Sequence, residues 1–553
     1  MPPVPRPYGA DPSVFALVRR SARPPAVPRE AVERPCYPEG PLRLLLGSHA
    51  VMNILNLSAV PSQRRAPEGG GAAPAGNAPK PAERYSRKPA LLLSGVFFLV
   101  YLALSARRHA IHLTTGYDLG IFTQIAKSYS DFTAPYAPLK GTGYNALGDH
   151  FHPILAVLGP LYKVFPSSYT LLVCQAALIA VSVIPITLWA LDVKGPRFAY
   201  WIGISYGASW GIAELVQFDF HEVAFAVPLL AFSVCAAGRE KWRAAVLWAI
   251  PLALVKEDLG LTVAAIGAYV VWKGPRRAGI LLALFGAVAT ALAMFVVLPS
   301  VNPLGEFAYW PPAEPQEKSL LVKAAATFWP PVKWLTLLMI VAPTGFLAVR
   351  SPLLIVMLPT LGWRFTSDFP NYWGMDFHYS AVLMPVAFAA AVHAVASGRT
   401  ITRRLLHAGV IGAVATGVTF FTSPFHELVL PRTWVASEHV RVTDEILGKI
   451  PDGTTVAASN RLAAQLAYRT TVSEVCLFPR SFEPKERPRW MVYDNADPSD
   501  PECATGKSLE SGAPYVPGYR LVERRSGISL LERVDERGDG RPGERVGAPA
   551  GRP

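Results

Sequence analysis

The sequence has little charge for its length. Only 17% of its 553 residues are charged and 51% are hydrophobic, whereas an ordinary soluble domain is about 25% charged. A string of soluble domains is therefore excluded, because too few charged side chains remain to cover water-exposed surfaces. Cysteine is also scarce: five cysteines form no C-x-x-C pair, so neither a zinc site nor a disulfide framework is indicated. This composition is typical of a polytopic membrane protein.

The net charge of +13 is unevenly distributed. Residues 1–88 hold 13 Lys and Arg against 6 Asp and Glu, together with 16 prolines. Such a segment buries too little apolar surface to offset its ordering entropy, so we expect a disordered cytoplasmic tail. The alternative for this segment is that translation starts at Met52. Elsewhere the basic residues lie between apolar runs. They form no face that could contact nucleotide bases, so no nucleic-acid partner is expected.

Long apolar runs dominate the middle of the chain. A bilayer core of about 30 Å needs about 20 apolar residues per helix, and lipid leaves the helix as the fitting backbone. The pattern predicts an all-α polytopic membrane protein of about ten to twelve transmembrane helices within residues 89–424. The apolar runs are 89–106, 153–165, 169–191, 198–217, 222–237, 243–272, 278–298, 332–348, 352–363, 378–396 and 406–424.

Two of these runs are irregular. Residues 153–165 are too few to cross a bilayer, so this run is either a tilted short span or a re-entrant helix. Residues 243–272 carry Lys256, Glu257 and Asp258 at their middle. Either one helix buries these charges or two half-helices present them at depth. Ionisable groups are costly in lipid, so the default interpretation of this cluster is functional.

Basic residues predict the orientation of the helices. Lys and Arg recur before the first span and in alternate loops, which places the N-terminus in the cytoplasm. The loops between them carry acids, histidines and aromatics and are predicted to be external, including a first outer loop at residues 107–152. Arg107, Arg108 and Arg364 break the charge rule by lying on the outer side.

The last part of the chain changes character after residue 425. Residues 446–456 and 461–468 predict a helix end, a turn, a strand and a second helix. Strands are expected at 470–475 and 489–493, and a hairpin across Ser526-Gly527. We therefore expect a small extracytoplasmic α/β domain at 425–534 and a disordered tail at 535–553. Cys476 and Cys503 would then be available to pair, although their spacing alone does not decide it.

The first outer loop carries the strongest candidates for chemistry. Asp118 follows the first span, and Asp149, His150 and His152 precede the next helix. A carboxylate at a membrane–water boundary suits a general base acting on a hydroxyl, with a second polar group orienting it. The alternatives are that Asp118 is a helix N-cap and that Asp149 and the two histidines ligate a metal, which two histidines alone support weakly.

Three further motifs carry acids: FDFHE at the outer end of a span, KED at the middle of the run 243–272, and MDFHY before another span. The first two have a structural alternative: a polar helix cap for FDFHE and a structural ion pair for KED. Together the motifs predict a cavity open to the outside. Their residues are Asp219, His221 and Glu222 in FDFHE, Lys256, Glu257 and Asp258 in KED, and Asp376, His378 and Tyr379 in MDFHY.

These motifs resemble a known family. GYDLGIFTQ, LGDHFHPIL, GPLYKVFPS, FDFHE, KEDLGL and the FHY element are similar to a bacterial family of multi-spanning membrane proteins, domain of unknown function 2079. The resemblance covers roughly residues 90–500. That family in turn resembles the C-type glycosyltransferase superfamily, whose members use a polyprenyl-phosphate-linked sugar. Asp118 lies at the position of the superfamily's base, and Asp149 with His150 at that of a second polar group. No second acid adjoins Asp118.

The resemblance implies a membrane glycosyltransferase acting on the outer face of the cytoplasmic membrane. Its catalytic residues would be Asp118, Asp149 and His150, its donor a polyprenyl-phosphate sugar in the membrane lipid, and no metal is implied. Arginines near the surface would bind the lipid phosphate, unless they merely snorkel to the headgroups. The alternatives are a transporter or flippase and a non-catalytic scaffold. The substrate-binding set is Arg107, Arg108, His152, Asp219, His221, Glu222, Lys256, Glu257, Asp258, Arg364, Asp376, His378 and Tyr379.

Overall fold

The computed structural model describes residues 85–307, 309, 325–398, 402–475, 487–497, 516 and 518–534. The predictions for the N-terminal tail up to residue 84, for Met52, for the tail after residue 534 and for pairing of Cys476 with Cys503 fall outside these residues.

Helices make up most of the described chain, as the sequence predicts. Five are long and apolar enough to cross a membrane, and six shorter apolar helices accompany them. The predicted fold class is confirmed. The helices are α1 Lys88–Ala110, α2 Ile121–Ser130, α3 Leu158–Val164, α4 Ser168–Lys194, α5 Pro196–Gly207, α6 Trp210–Gln217, α7 Val223–Gly238, α8 Trp242–Ala249, α9 Leu259–Lys273, α10 Arg276–Leu292, α11 Val332–Val341, α12 Leu358–Thr366, α13 Leu383–Ala396, α14 Thr402–Thr422, α15 Glu438–Leu447 and α16 Asn460–Leu466.

Several of the predicted apolar runs are interrupted, and two of these breaks bear on the site. The predicted run 198–217 forms α5 and α6, which are separated by an extended Ser209. At this break the Tyr101 hydroxyl donates to the Gly207 carbonyl over 2.8 Å, which satisfies a freed backbone group. The run 243–272 is also split: α8 continues as a tighter turn over Ile250–Leu254, and α9 begins at Leu259. Of the two alternatives for this run, the structure has two half-helices with the charges between them.

The helix ends separate into two groups of different chemistry. At one end of the bundle, Arg239 pairs with Asp192 over 2.6 Å and Trp242 packs against Gly274. Tyr85, just before α1, packs at the same end against Gly195. The acidic and histidine-bearing loops lie at the opposite end. The alternation that the sequence predicts is therefore present in the bundle.

A five-stranded sheet follows the bundle. Its order is β2-β1-β3-β5-β4, with β1 parallel to β2 and β3, and β5 antiparallel to β3 and β4. Helix α16 makes the crossover from β1 to β2. Ser526 and Gly527, both with positive φ, form the predicted hairpin turn. The strands are β1 Thr455–Ala458, β2 Thr471–Glu474, β3 Trp490–Asp494, β4 Tyr519–Arg525 and β5 Ile528–Arg533.

Candidate functional site

The GYDLG segment, Gly116–Gly120, carries Asp118 into the first turn of the helix that continues as α2. Asp118 is half-buried, and no described residue hydrogen-bonds its carboxylate. The alternative role of Asp118 as a helix cap is not supported, because its side chain makes no cap hydrogen bond. Burial, and then the charges of Asp219 and Glu222, raise the pKa of Asp118 well above its usual range. The carboxylate is therefore free and disposed to accept a proton.

Asp219 holds the segment that leads to Asp118. Its Oδ2 accepts the backbone N–H of Thr115 at 2.6 Å and the Thr115 hydroxyl at 3.0 Å. Burial raises the pKa of Asp219 to about 6, against the opposing effect of these hydrogen bonds. The residue adopts φ 56°, a conformation that Asp tolerates better than most residues. FDFHE is thus joined to the first loop.

Glu222 links FDFHE to KED. It is fully buried, and its Oε1 accepts from Lys256 Nζ at 2.9 Å, while His221 Nδ1 lies 2.8 Å from Oε2. Glu222 makes no cap hydrogen bond to α7. The polar-cap alternative for this motif is therefore not supported, and Lys256 pairs with a neighbouring motif rather than within KED.

The loop before Pro153 is tied to KED by Glu257. His150 Nδ1 lies 2.8 Å from Glu257 Oε1, and the Phe151 N–H donates to Oε2 at 3.0 Å. Asp149 accepts from Lys140 and, at 3.0 Å, from the Tyr309 hydroxyl. Burial would raise the pKa of Asp149, but the nearby His150 and Lys140 lower it to about 2. Asp149 is therefore a fixed anion.

His378 brings the fourth motif to the same place. Its ring stacks on that of His221 with centroids 3.5 Å apart, and both of its nitrogens are buried without a partner among the described residues. A cavity of about 30 Å³, lined in part by Lys256, Asp258 and Tyr379, adjoins this ring. That volume exceeds what one water needs. The four motifs are linked by contacts, but only residues of KED and MDFHY line this small cavity.

The three arginines predicted to bind phosphate make ion pairs or hydrogen bonds within the protein. Arg108 pairs with Glu427 at 2.8 Å, and Arg107 donates to the carbonyl of Thr433. The fully buried Arg364 donates to the carbonyls of Tyr372, Gly374 and Tyr379 and to the Ser380 hydroxyl. Their phosphate-binding role stays a prediction: Arg108 is paired with an acid, whereas Arg107 Nη2 and Arg108 Nε are buried without a partner among the described residues.

The remaining predicted residues differ in their surroundings. Asp258 Oδ2 accepts from Trp363 Nε1 at 2.9 Å, and the buried His152 packs edge-on to the Phe122 ring. Asp376 is exposed and makes no hydrogen bond to the other candidate site residues that the structure describes. Within the described ranges no three His, Cys, Asp or Glu side chains are grouped as metal ligands.

Asn460 is a site residue that sequence reasoning missed. Its Oδ1 accepts the backbone N–H of Tyr117 at 3.0 Å, and Gly116 approaches so closely that an added Cβ would lie 2.9 Å from Ala463 Cβ. Asn460 begins α16 beyond the carboxyl ends of β1 and β3, where the strand order of the parallel part reverses. Ligands bind at this position in open α/β sheets, which is the signal that was available. In this protein the GYDLG segment, which carries Asp118, packs at this position.

The helices α15 and α16 and the five strands form a C-terminal region, here called the sheet domain. A second cavity, of about 640 Å³, lies between the bundle and this sheet domain. Its lining includes Tyr169, Asp444, Gln465 and Tyr468, and none of the predicted site residues. Gln465 also donates to the His109 carbonyl at 3.1 Å, so this cavity borders the end of α1.

Membrane-length helices, broken helices bearing charges and a terminal mixed sheet define the class: a multi-spanning membrane protein with a small α/β domain. The chain belongs to the family described as Predicted membrane protein (DUF2079), whose model matches residues 108–530, well over half of the sequence. No curated protein matches the sequence.

Proposed function

We propose that the protein is a membrane glycosyltransferase that moves a sugar from a polyprenyl-phosphate donor to an acceptor hydroxyl. The observation that carries this proposal is the Asp118 carboxylate, which lies half-buried without a hydrogen-bond partner among the described residues. Its raised pKa, caused by burial and by Asp219 and Glu222, suits a general base better than an ordinary surface carboxylate.

The proposed step uses Asp118 as the base. The acceptor hydroxyl gives its proton to Asp118 as its oxygen forms a bond to the anomeric carbon, and the bond from that carbon to the phosphate oxygen breaks. The lipid phosphate leaves as an anion, so cations are needed nearby. Lys256 and Lys140 are the cations that act electrostatically on Asp118. We assign the phosphate to Lys256, at the break between half-helices, where the phosphate would share the charge of Lys256 with Glu222.

Asp149 and His150 act as positioning groups in this proposal. Asp149 is held by Lys140 and Tyr309, and His150 by Glu257 and by stacking on Tyr309 with centroids 4.6 Å apart. Both residues fix the loop that faces the Asp118 segment. The acidic end of the bundle and the sheet domain lie outside the cell in this proposal, and the basic end lies in the cytoplasm, following the positive-inside rule.

The test is Asp118→Asn, assayed for transfer from polyprenyl-phosphate sugars in membranes that overproduce the protein. We expect a loss of about 100-fold or more in transfer, because a positioned base contributes about that much or more. Envelope glycans from cells with and without the gene, compared by mass spectrometry, identify the product. The matched control is Asp131→Asn, since Asp131 lies in the same loop but makes an exposed pair with Lys163. Full activity in Asp118→Asn would show that Asp118 is not the base.

A further inference from the structure

We infer that Pro153–Val164, with Phe165, is an in-plane helix whose apolar face binds the boundary between lipid headgroups and acyl chains. It is neither of the forms that its sequence predicts, a tilted short span or a re-entrant helix. Its five-residue tight turn and the seven residues of α3 together measure about 20 Å, against about 30 Å for the hydrocarbon core.

Both ends of this segment lie at the same level of the structure. Before it, the His152 ring contacts the Phe122 ring with centroids 6.1 Å apart. After it, the Ser168 hydroxyl lies 3.2 Å from that of Thr123. Phe122 and Thr123 are consecutive residues of α2, so the chain leaves and rejoins one short helix. A span would place its two ends on opposite sides of the membrane.

Helix α3 lies alongside α2, and α2 lies along the sheet domain. Gly159 packs so closely on Tyr129 that an added Cβ would be 2.9 Å from its carbonyl oxygen. On the other side of α2, Gln124 Nε2 donates to the Val472 carbonyl at 2.7 Å and Lys127 Nζ to that of Thr470 at 3.5 Å. The sheet domain, α2 and α3 are thus three successive layers.

The outermost face of these layers is apolar and left exposed by the described residues. Val157, Leu161, Val164 and Phe165 are 46–67% exposed and recur at helical spacing, and Phe132, just after α2, is 95% exposed. The opposite face of α3 buries Leu158 and Tyr162.

The surface beyond α3 indicates what covers this face. Helix α4 begins three residues after Phe165 and is of membrane-spanning length. Val173 in its second turn and Val181 further along are exposed, so exposed apolar side chains continue from α3 onto a helix of membrane-spanning length. A helix of this kind inserts about 5–10 Å into the boundary region. The residues before it, Asp149 to His152, are then held at headgroup depth whether or not the protein transfers sugar.

The experiment uses the full chain, with its native cysteines replaced by alanine, in vesicles of phosphatidylcholine and phosphatidylglycerol. A single cysteine at Leu161 or Val164 carries an environment-sensitive fluorophore. Spin-labelled lipids quench it either near the headgroup or near the chain end, and iodide quenches it from water. Control labels are placed at Val288, exposed on α10, and at Val522, exposed on β4.

We expect the label at Leu161 to be protected from iodide and quenched about twofold more by the shallow spin label than by the deep one. The label at Val288 should show the reverse depth preference, and the label at Val522 should respond to iodide alone. Stronger quenching of Leu161 by the deep label would show a span or re-entrant helix. Iodide access without lipid quenching, or energy transfer between labelled copies at high dilution in lipid, would show water or a second copy on this face. Each of these outcomes overturns the inference.

Discussion

Asp118 and Asp149 carry the same functional group in surroundings that move their pKa values in opposite directions. Burial and two neighbouring carboxylates raise the pKa of Asp118, whereas His150 and Lys140 outweigh burial and lower that of Asp149 to about 2. Carboxylates separated in this way commonly divide proton transfer and electrostatic fixation between them. We assign the first role to Asp118 and the second to Asp149.

The fall of the transfer rate at acidic pH should report the raised pKa of Asp118. A base works only when deprotonated, so transfer should be lost as the pH falls through the raised pKa of Asp118, earlier than for an ordinary carboxylate. Asp219→Asn removes one of the charges that raise this pKa, so the fall should move to lower pH. The measurement is a pH–rate profile.

The control for this profile is again Asp131→Asn, which should leave the fall in place. If the fall vanishes in Asp219→Asn, the titrating group is Asp219 itself; an unmoved fall means that Asp118 is not the base.

Residue types at the site could be predicted from the sequence, but their pairing could not. FDFHE and KED are evident as polar motifs in apolar surroundings. Nothing local predicts that Glu222 pairs with Lys256 and that Glu257 contacts His150, 107 positions away. That choice depends on the backbone turn at 255–258, which rotates successive side chains toward different partners.

Among the contacts between elements, that of the GYDLG segment with α16 depends on Gly116, because a side chain at this position would separate the two. In Gly116→Val the added atoms meet Ala463 and the Asn460 carbonyl oxygen at about 3 Å. We expect about 1–3 kcal/mol of destabilisation from overpacking, with faster hydrogen exchange in residues 114–130. Thermal unfolding in detergent and exchange mass spectrometry measure these effects.

Gly95→Ala serves as the comparison, since nothing lies within 4 Å of a Cβ there, and it should unfold at the wild-type temperature or above. Equal stability and exchange in Gly116→Val and wild type would contradict the docking of this segment.

Elements with strong local signals could be predicted closely. The hairpin at Ser526-Gly527 and the strand after the Pro-Asp-Gly turn lie where turn chemistry places them. The break of the run 198–217 near Ser209 was not predicted, although Gly207 and Ser209 are residues at which helices commonly kink. It depends on the Tyr101 hydroxyl, which comes from another helix to satisfy the Gly207 carbonyl.

On the scale of the whole molecule, the two chemically different ends of the bundle predict its orientation. In the proposed orientation, cysteines introduced at the exposed Val522 on β4 and at the exposed Glu240 on the basic end would lie on opposite sides of the membrane. In intact cells a membrane-impermeant maleimide should label position 522 and reach position 240 only after the cells are opened.

The background for this labelling is the chain with all native cysteines replaced, which should give no signal. Labelling of position 240 alone in intact cells would invert the orientation and place Asp118 in the cytoplasm, against the proposed function.

The hydrogen bond between Tyr117 and Asn460 joins parts of the chain that are 343 positions apart. A ribosome therefore completes the first outer loop long before it makes the helix that supports that loop. During membrane insertion the nascent GYDLG segment has no platform until α16 emerges. The contact between the GYDLG segment and α16 therefore forms late in biosynthesis. A polypeptide released before that point would lack this contact even with its spans inserted.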